Sequence, residues 1–207
     1  MANQIPAIMD RIEPLVFFYD YADPASYLLE LWLKEDGLVP GSGLLPLPFE
    51  MNPPPDPLLD PADGPFAVRW EHAEREASTL GLKLKRPSIV PWTRKAHELA
   101  FHAADLDCVA EIHEALFRAY LIEGRDIGRV DVLTALAREL GLDPSRAKAA
   151  LDVDKHTGPL KDIRAKALRE GVAQPPTLLR NQRFLRGPQT QDTLRNFLGG
   201  GSKTDKP

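Results

Sequence analysis

The stretch Leu15–Tyr19 (LVFFY) is a continuous apolar run, and Asp23-Pro24 follows it four residues later. A short apolar run with polar or proline residues at both ends is typical of a strand that is buried on both faces. Aspartate is a favoured N-cap and proline suits the first helical position, so a helix is predicted to begin at Asp23-Pro24. Gly37 is its predicted end.

The rest of the chain predicts one further strand, a helical block and a hairpin. Leu44–Phe49 predicts a strand near a sheet edge, because its prolines lack the backbone donor that a central strand uses. Apolar residues then recur with helical spacing from about 66 to 169. Residues 174–187 predict two short strands joined at Asn181-Gln182, and a last helix covers about 189–198. This order predicts an α/β protein with a thioredoxin fold: a mixed central sheet built from βαβ and ββα units, with an inserted all-helical domain.

A proline-rich segment marks the predicted domain boundary. Nine of the 20 prolines lie between Pro40 and Pro65, which predicts an ordered loop rather than a helix. We expect a discontinuous thioredoxin-like domain of residues 1–65 and 170–207, with the helical domain inserted as residues 66–169. Residues 199–207 (GGGSKTDKP) predict a flexible tail.

Charge and hydropathy exclude several classes of partner. The formal net charge of −4 among 207 residues gives no electrostatic footprint for nucleic acid or an anionic membrane. No apolar run reaches the roughly 20 residues of a membrane span, and the first residues lack the pattern of a secretory signal. We therefore expect a cytoplasmic protein with no nucleic-acid or membrane partner. Its oligomeric state is left open, with a homodimer as one alternative.

The metal-binding and thiol chemistry that the sequence offers is sparse. Cys108 is the single cysteine, which excludes an intramolecular disulfide and a multi-cysteine zinc site. His97, His102 and His113 lack the i,i+4 spacing of paired metal ligands, so no metal site is predicted. We expect His97 to serve in packing or hydrogen bonding.

Five local motifs, in the same order along the chain, resemble the DsbA family. They are residues 18–28 (FYDYADPASYL), 48–53 (PFEMNP), 94–100 (RKAHELA), 171–177 (GVAQPPT) and 187–189 (GPQ). More narrowly, they resemble the intracellular branch with polyketide-associated disulfide oxidoreductases, 2-hydroxychromene-2-carboxylate isomerases and kappa-class glutathione transferases. The resemblance extends over roughly Leu15 to Leu198. It implies a thioredoxin fold in which Pro176 is cis.

The same resemblance places Asp23 where the oxidoreductases have their nucleophilic cysteine, and Ser26 where they have the resolving one. Thiol–disulfide exchange requires a thiolate that attacks sulfur, and neither a carboxylate nor a hydroxyl can do this. Cys108 lies far along the chain in the helical block. We therefore predict no thiol–disulfide oxidoreductase activity, and whether the chain is an enzyme at all is left open.

The resemblance also implies a binding groove for a small molecule or a peptide. Its candidate catalytic residues are Asp23 and Ser26. Its candidate substrate-binding residues are Tyr21, Pro24, Asn52, Pro175, Pro176, Thr177 and Gln189. Asp23 has a simpler interpretation as an N-cap, and its pKa is expected to be lowered by the helix N-terminus.

Three functions remain open from the sequence. The first is a redox-inactive family member that keeps its groove and uses no cofactor. The second is a glutathione-dependent isomerase or transferase, in which Ser26 and Asp23 would exchange protons. Against it, an ionised aspartate accepts hydrogen bonds and cannot donate one to the glutathione thiolate. The third is a pure interaction module.

Overall fold

The computed structural model describes residues 14–62, 64–106 and 108–199. The strands are β1 Leu15–Tyr19, β2 Leu44–Pro48, β3 Thr177–Arg180 and β4 Arg183–Arg186. The helices are α1 Pro24–Glu35, α2 Gly64–Thr79, α3 Arg94–Ala104, α4 Val109–Leu121, α5 Val130–Glu139, α6 Pro144–Asp152, α7 Thr157–Arg169 and α8 Gln191–Gly199. This is the predicted α/β order, with six helices between β2 and β3.

The four strands form one mixed sheet in the order β2-β1-β3-β4. β1 runs parallel to β2 and antiparallel to β3, and β3 pairs antiparallel with β4. The predicted edge position of β2 is therefore confirmed. The hairpin turn consists of Asn181 and Gln182, both at positive φ (49° and 60°), the backbone that two-residue hairpin turns favour.

Helix α1 has the predicted start and end. Asp23 is its N-cap and accepts the backbone N–H of Ser26, while Pro24 occupies the first turn. Gly37 follows the C-cap Asp36 with φ of 75°, a conformation that glycine adopts without strain. The end of β1 and the first turn of α1 are thus held in a fixed relation, only four residues apart.

The helical block and the sheet share one hydrophobic core. Phe17 from β1, Trp32 from α1, Leu116 and Phe117 from α4 and Leu178 from β3 belong to the same buried cluster. A smaller cluster covers the opposite face of the sheet, and it includes a residue of α7. A shared core marks no boundary between the two predicted domains. Their division at residues 66 and 169 therefore remains a prediction.

Three details differ from the sequence expectations or lie outside the described residues. Gly199, the first residue of the predicted tail, is the last residue of α8, and residues 200–207 are not among those described. Asp107, which the sequence favours as a helix start because aspartate is a common N-cap, is also outside the described residues, and α4 has Cys108 as its N-cap. The Pro54-Pro55 bond is cis, which no sequence pattern indicated.

None of the described helices is both long enough and apolar enough to cross a membrane.

The central strand position of Leu178 makes it a test of the shared core. Leu178 is 0% exposed and Leu45, on the edge strand β2, is 43% exposed. We expect Leu178→Ala to lower the free energy of unfolding by about 2–5 kcal/mol, because it leaves a cavity in the core. Leu45→Ala should change it by no more than about 0.5 kcal/mol. Urea denaturation followed by circular dichroism measures both, and equal losses would contradict this core.

Candidate functional site

Asp23 lies at the amino end of α1 and is completely buried. Its Oδ2 accepts a hydrogen bond from the backbone N–H of Ser26 at 2.9 Å and another from the Ser26 hydroxyl at 2.6 Å. The Ser26 Oγ in turn lies 3.3 Å from the backbone N of Asp20, from which it accepts. The predicted capping role of Asp23 is confirmed, and its carboxylate is held by its own helix.

Arg69 of α2 closes the site from the other side. Its Nη1 lies 3.2 Å from Asp23 Oδ1 and donates to the carbonyl oxygen of Pro175 at 2.7 Å. Its Nη2 donates to Gln174 Oε1 at 3.0 Å. One guanidinium therefore joins the start of α1 to the loop that carries the cis Pro175-Pro176 bond. The cis bond at Pro176 confirms what the family resemblance implied.

Arg69 is the residue of this candidate site that the sequence analysis did not identify. A signal was present, because Arg69 is three residues after Phe66 and four before Ala73, both of which are buried on α2. An arginine on the buried face of a helix needs an acidic side chain or a carbonyl oxygen as its partner, because arginine is almost never buried unpaired. Its partner could not be named from the sequence, since Asp23 is 46 residues away.

The pKa of Asp23 is raised, not lowered. Burial raises it most strongly, and the positive charge of Arg69 and the hydrogen bonds from Ser26 only partly oppose this effect. The expectation of a lowered pKa was wrong, because it considered the helix N-terminus and not the loss of water around the carboxylate.

Asp20, at the end of β1, joins three segments. Its Oδ2 accepts the backbone N–H of Met51 at 2.6 Å, and its Oδ1 lies 3.5 Å from His97 Nε2 on α3. Burial opposes ionisation of Asp20, but the nearby His97 ring and the Met51 N–H together lower its pKa. His97 is fully buried and packs against Tyr21 with ring centroids 4.7 Å apart, in agreement with a packing role.

Tyr21, a predicted substrate-binding residue, points into the core. It is 0% exposed, and its hydroxyl lies 2.8 Å from His113 Nδ1 on α4. The other ring nitrogen of His113 lies 2.9 Å from a carboxylate oxygen of Glu30. Tyr21 therefore offers no exposed surface to a ligand in this structure, because this buried polar chain holds it against the helical block.

The remaining candidates lie around the cis-proline loop or within their own loops. Pro24, Pro175, Pro176 and Thr177 are buried. The Thr177 hydroxyl donates to the carbonyl of Gln174 at 2.7 Å. The amides of the two partly exposed candidates also donate to carbonyls nearby in the chain, Asn52 to Pro57 and Gln189 to Arg186. The structure thus brings Asp23, Ser26 and the cis-proline loop together, and Arg69 contacts both Asp23 and this loop.

Removing the charge of Arg69 tests this arrangement. Loss of one partner of a buried ion pair costs about 3–5 kcal/mol, and we expect Arg69→Met to lose stability of that order near neutral pH. Without Arg69, the pKa of Asp23 rises further above its value in the unfolded chain. The variant therefore loses stability as the pH rises from the pKa of Asp23 in the unfolded chain to its higher pKa in the folded chain. In acid, where Asp23 is protonated in both states, the difference in free energy of unfolding between the variant and the wild type should shrink.

Urea denaturation at several pH values measures this effect. Arg75→Met is the matched control, because Arg75 is exposed on the same helix. Its effect should stay within about 0.5 kcal/mol at every pH. A loss for Arg69→Met that is equal in acid and at neutral pH would contradict a buried, charged Asp23 as its partner.

Comparison with known proteins places this fold in a family. The model of the DSBA-like thioredoxin domain matches residues 63–199. Among curated proteins, the uncharacterized protein YwbO of Bacillus subtilis strain 168 is 28% identical over 166 residues, which cover 76% of this chain and 81% of YwbO. The match to the domain model begins after Asp23–Ser26, so the assignment of these positions depends on the fold and on the adjacent cis proline.

Solved structures agree in fold. A probable DsbA oxidoreductase from Streptomyces coelicolor has a TM-score of 0.76 at 16% identity, over 94% of this chain and 92% of its own. A 2-hydroxychromene-2-carboxylate isomerase has a TM-score of 0.67 at 20% identity, over 90% and 94%. The cytosolic disulfide reductase DsbM from Pseudomonas aeruginosa, solved with GSH, has a TM-score of 0.64 at 22% identity, over 90% and 98%. At these identities the likeness shows the fold alone. Because the domain model matches more than half of its length, this chain belongs to the DsbA-like thioredoxin-domain family.

Proposed function

We propose that this chain is a DsbA-like protein that performs no thiol–disulfide exchange and binds a small molecule or a peptide beside its cis-proline loop. One observation carries the proposal. The buried carboxylate of Asp23 is ion-paired with Arg69 at the amino end of α1, and the same guanidinium donates to the carbonyl of Pro175, next to the cis bond to Pro176. The family resemblance assigns the reactive sulfur of the oxidoreductases to this position.

The chemistry of Asp23 supports the redox part of this proposal. Disulfide exchange proceeds through a mixed disulfide, which a carboxylate oxygen cannot form. Ser26 cannot supply the missing nucleophile either, because a hydroxyl oxygen cannot form the mixed disulfide, and this hydroxyl donates to Asp23. The single thiol, Cys108, is at the start of α4 and contacts the carbonyl of Leu106 at 3.4 Å.

The surface above the ion pair supports the binding part. Gln174 is exposed, and the Arg69 side chain retains 11% exposure. Within the described residues (14–62, 64–106 and 108–199), Arg69 donates hydrogen bonds from three of its five N–H groups, to Asp23, Pro175 and Gln174. The two remaining N–H groups suit a carboxylate or a peptide carbonyl of a ligand. By likeness to the cytosolic DsbM, we also propose a cytoplasmic setting.

Insulin reduction in the presence of dithiothreitol tests the redox part. We expect the purified chain to precipitate insulin no faster than dithiothreitol alone, because no sulfur lies at positions 23 and 26. The double variant Asp23→Cys, Ser26→Cys is the matched control. It returns two sulfurs to the first turn of α1, and Arg69 would favour the thiolate there. Turnover by the wild-type chain that survives Cys108→Ser would refute the proposal.

A second candidate is a glutathione-dependent isomerase or transferase, which the likeness to DsbM with GSH and to the isomerase favours. The residues present fit a glutathione thiolate poorly. The Ser26 hydroxyl is already engaged, and an ionised Asp23 would repel the sulfur. A raised pKa of Asp23 works in the opposite direction, since a protonated carboxyl can donate.

Calorimetric titration with glutathione separates the two candidates. We expect no saturable heat at millimolar glutathione. Saturable binding that Ser26→Ala abolishes, and that Ser42→Ala in the exposed loop before β2 leaves unchanged, would replace our proposal with the second candidate.

A further inference from the structure

A second cluster of titratable side chains lies in the helical block, where α3 ends and α7 begins. It consists of His102 in the last turn of α3, its C-cap Asp105, and His156, the N-cap of α7. One ligand atom from each residue lies within 4.8 Å of the other two. We call these three residues the α3–α7 cluster.

Both histidines are buried, and among the described residues three of their four ring nitrogens have no hydrogen-bond partner. Each is only 8% exposed. Within the described residues, neither ring nitrogen of His102 has a hydrogen-bond partner, and the Nε2 of His156 has none. His156 makes no side-chain cap to α7 either. Buried polar atoms are almost always satisfied. Unsatisfied nitrogens on two rings, each of which brings one ligand atom within 4.8 Å of the Asp105 carboxylate, therefore need a physical explanation.

The side-chain chemistry of the cluster suits coordination of a cation. Each imidazole offers a nitrogen lone pair when the ring is neutral, and the Asp105 carboxylate offers oxygens, one of which accepts from Lys155 Nζ at 2.8 Å. Two imidazoles and one carboxylate are thus present together.

We propose that His102, Asp105 and His156 bind one divalent transition-metal ion of the zinc class, each through one atom. Imidazole nitrogen and carboxylate oxygen both ligate zinc at about 2.0–2.2 Å, and three protein ligands leave a fourth position for water or another ligand. Calcium and magnesium prefer sites made of oxygen alone, so the two histidines select against them. The ion would join the end of α3 to the start of α7.

Lys155 is the competitor within this site. Its Nζ lies 2.8 Å from Asp105 Oδ2, the same oxygen that lies 3.9 Å from His156 Nε2. The bound ion would have to displace this ammonium group or share the carboxylate with it through the other oxygen. Replacing Lys155 by glutamine should therefore strengthen metal binding, because it removes both a competing donor and a repelling charge.

Calorimetric titration of the full chain with Zn²⁺ at neutral pH tests the site, and Co²⁺ serves as a spectroscopic probe of the ligand set. We expect one ion per chain. His102→Gln and His156→Gln should each weaken the affinity about tenfold or more, since even residues that merely support a metal ligand contribute 10–100-fold. Lys155→Gln should strengthen it severalfold. At free zinc a hundredfold above Kd, the Tm should rise by about 5–10 °C.

His72→Gln is the matched control, because His72 lies on α2 and contacts the carbonyl of Gln189 instead. It should leave zinc affinity unchanged. Asp105→Asn, at an exposed position, is the second ligand variant if either buried histidine variant unfolds without metal.

Three results would overturn the proposal. They are the absence of saturable zinc binding at millimolar concentration, unchanged affinity in folded His102, Asp105 and His156 variants, and binding that Cys108→Ser abolishes. An unchanged affinity in Lys155→Gln would contradict a bound ion next to Lys155, because removing the repelling charge should strengthen binding through either oxygen of Asp105.

Discussion

The ion pair between Asp23 and Arg69 is the constraint on which the geometry of this protein depends. Desolvating two charges is expensive, and their attraction offsets the cost only where further hydrogen bonds satisfy them. Here those bonds come from Ser26 to the carboxylate, and from Arg69 to Pro175 and Gln174. A single buried contact therefore connects the first βαβ unit, the helical block and the hairpin unit, which lie far apart in the chain.

On the function proposed above, the same pair explains how the fold can persist without sulfur chemistry. The amino end of a helix favours a negative charge, whether thiolate or carboxylate. A carboxylate at this position keeps the charge and gains Arg69 as a partner, but it cannot be oxidised to a disulfide. On our proposal, the scaffold thus keeps a negative charge at this helix end, while the reactive sulfur is absent.

Much of the fold could be predicted because its signals are local. The apolar run Leu15–Tyr19, the cap Asp23-Pro24 and the turn Asn181-Gln182 each specify their own conformation within a few residues. What the sequence could not show depends on distant neighbours.

The site illustrates this difference. The direction of the Asp23 pKa shift follows from burial by segments far along the chain, and the core-facing orientation of Tyr21 follows from His113 on α4. The cluster of His102 with His156 escaped a search by i,i+4 spacing, because its members belong to two different helices.

The composition of the two outer strands has a consequence for contacts between molecules. Pro46 and Pro48 deprive β2 of two backbone donors, and β4 is only four residues long with arginine at both ends. Proline, short length and positive charge are the devices by which natural proteins prevent strands of neighbouring molecules from adding to an open sheet. Both margins of this sheet are therefore poor templates for cross-molecular pairing, which lowers the tendency of the chain to aggregate edge to edge.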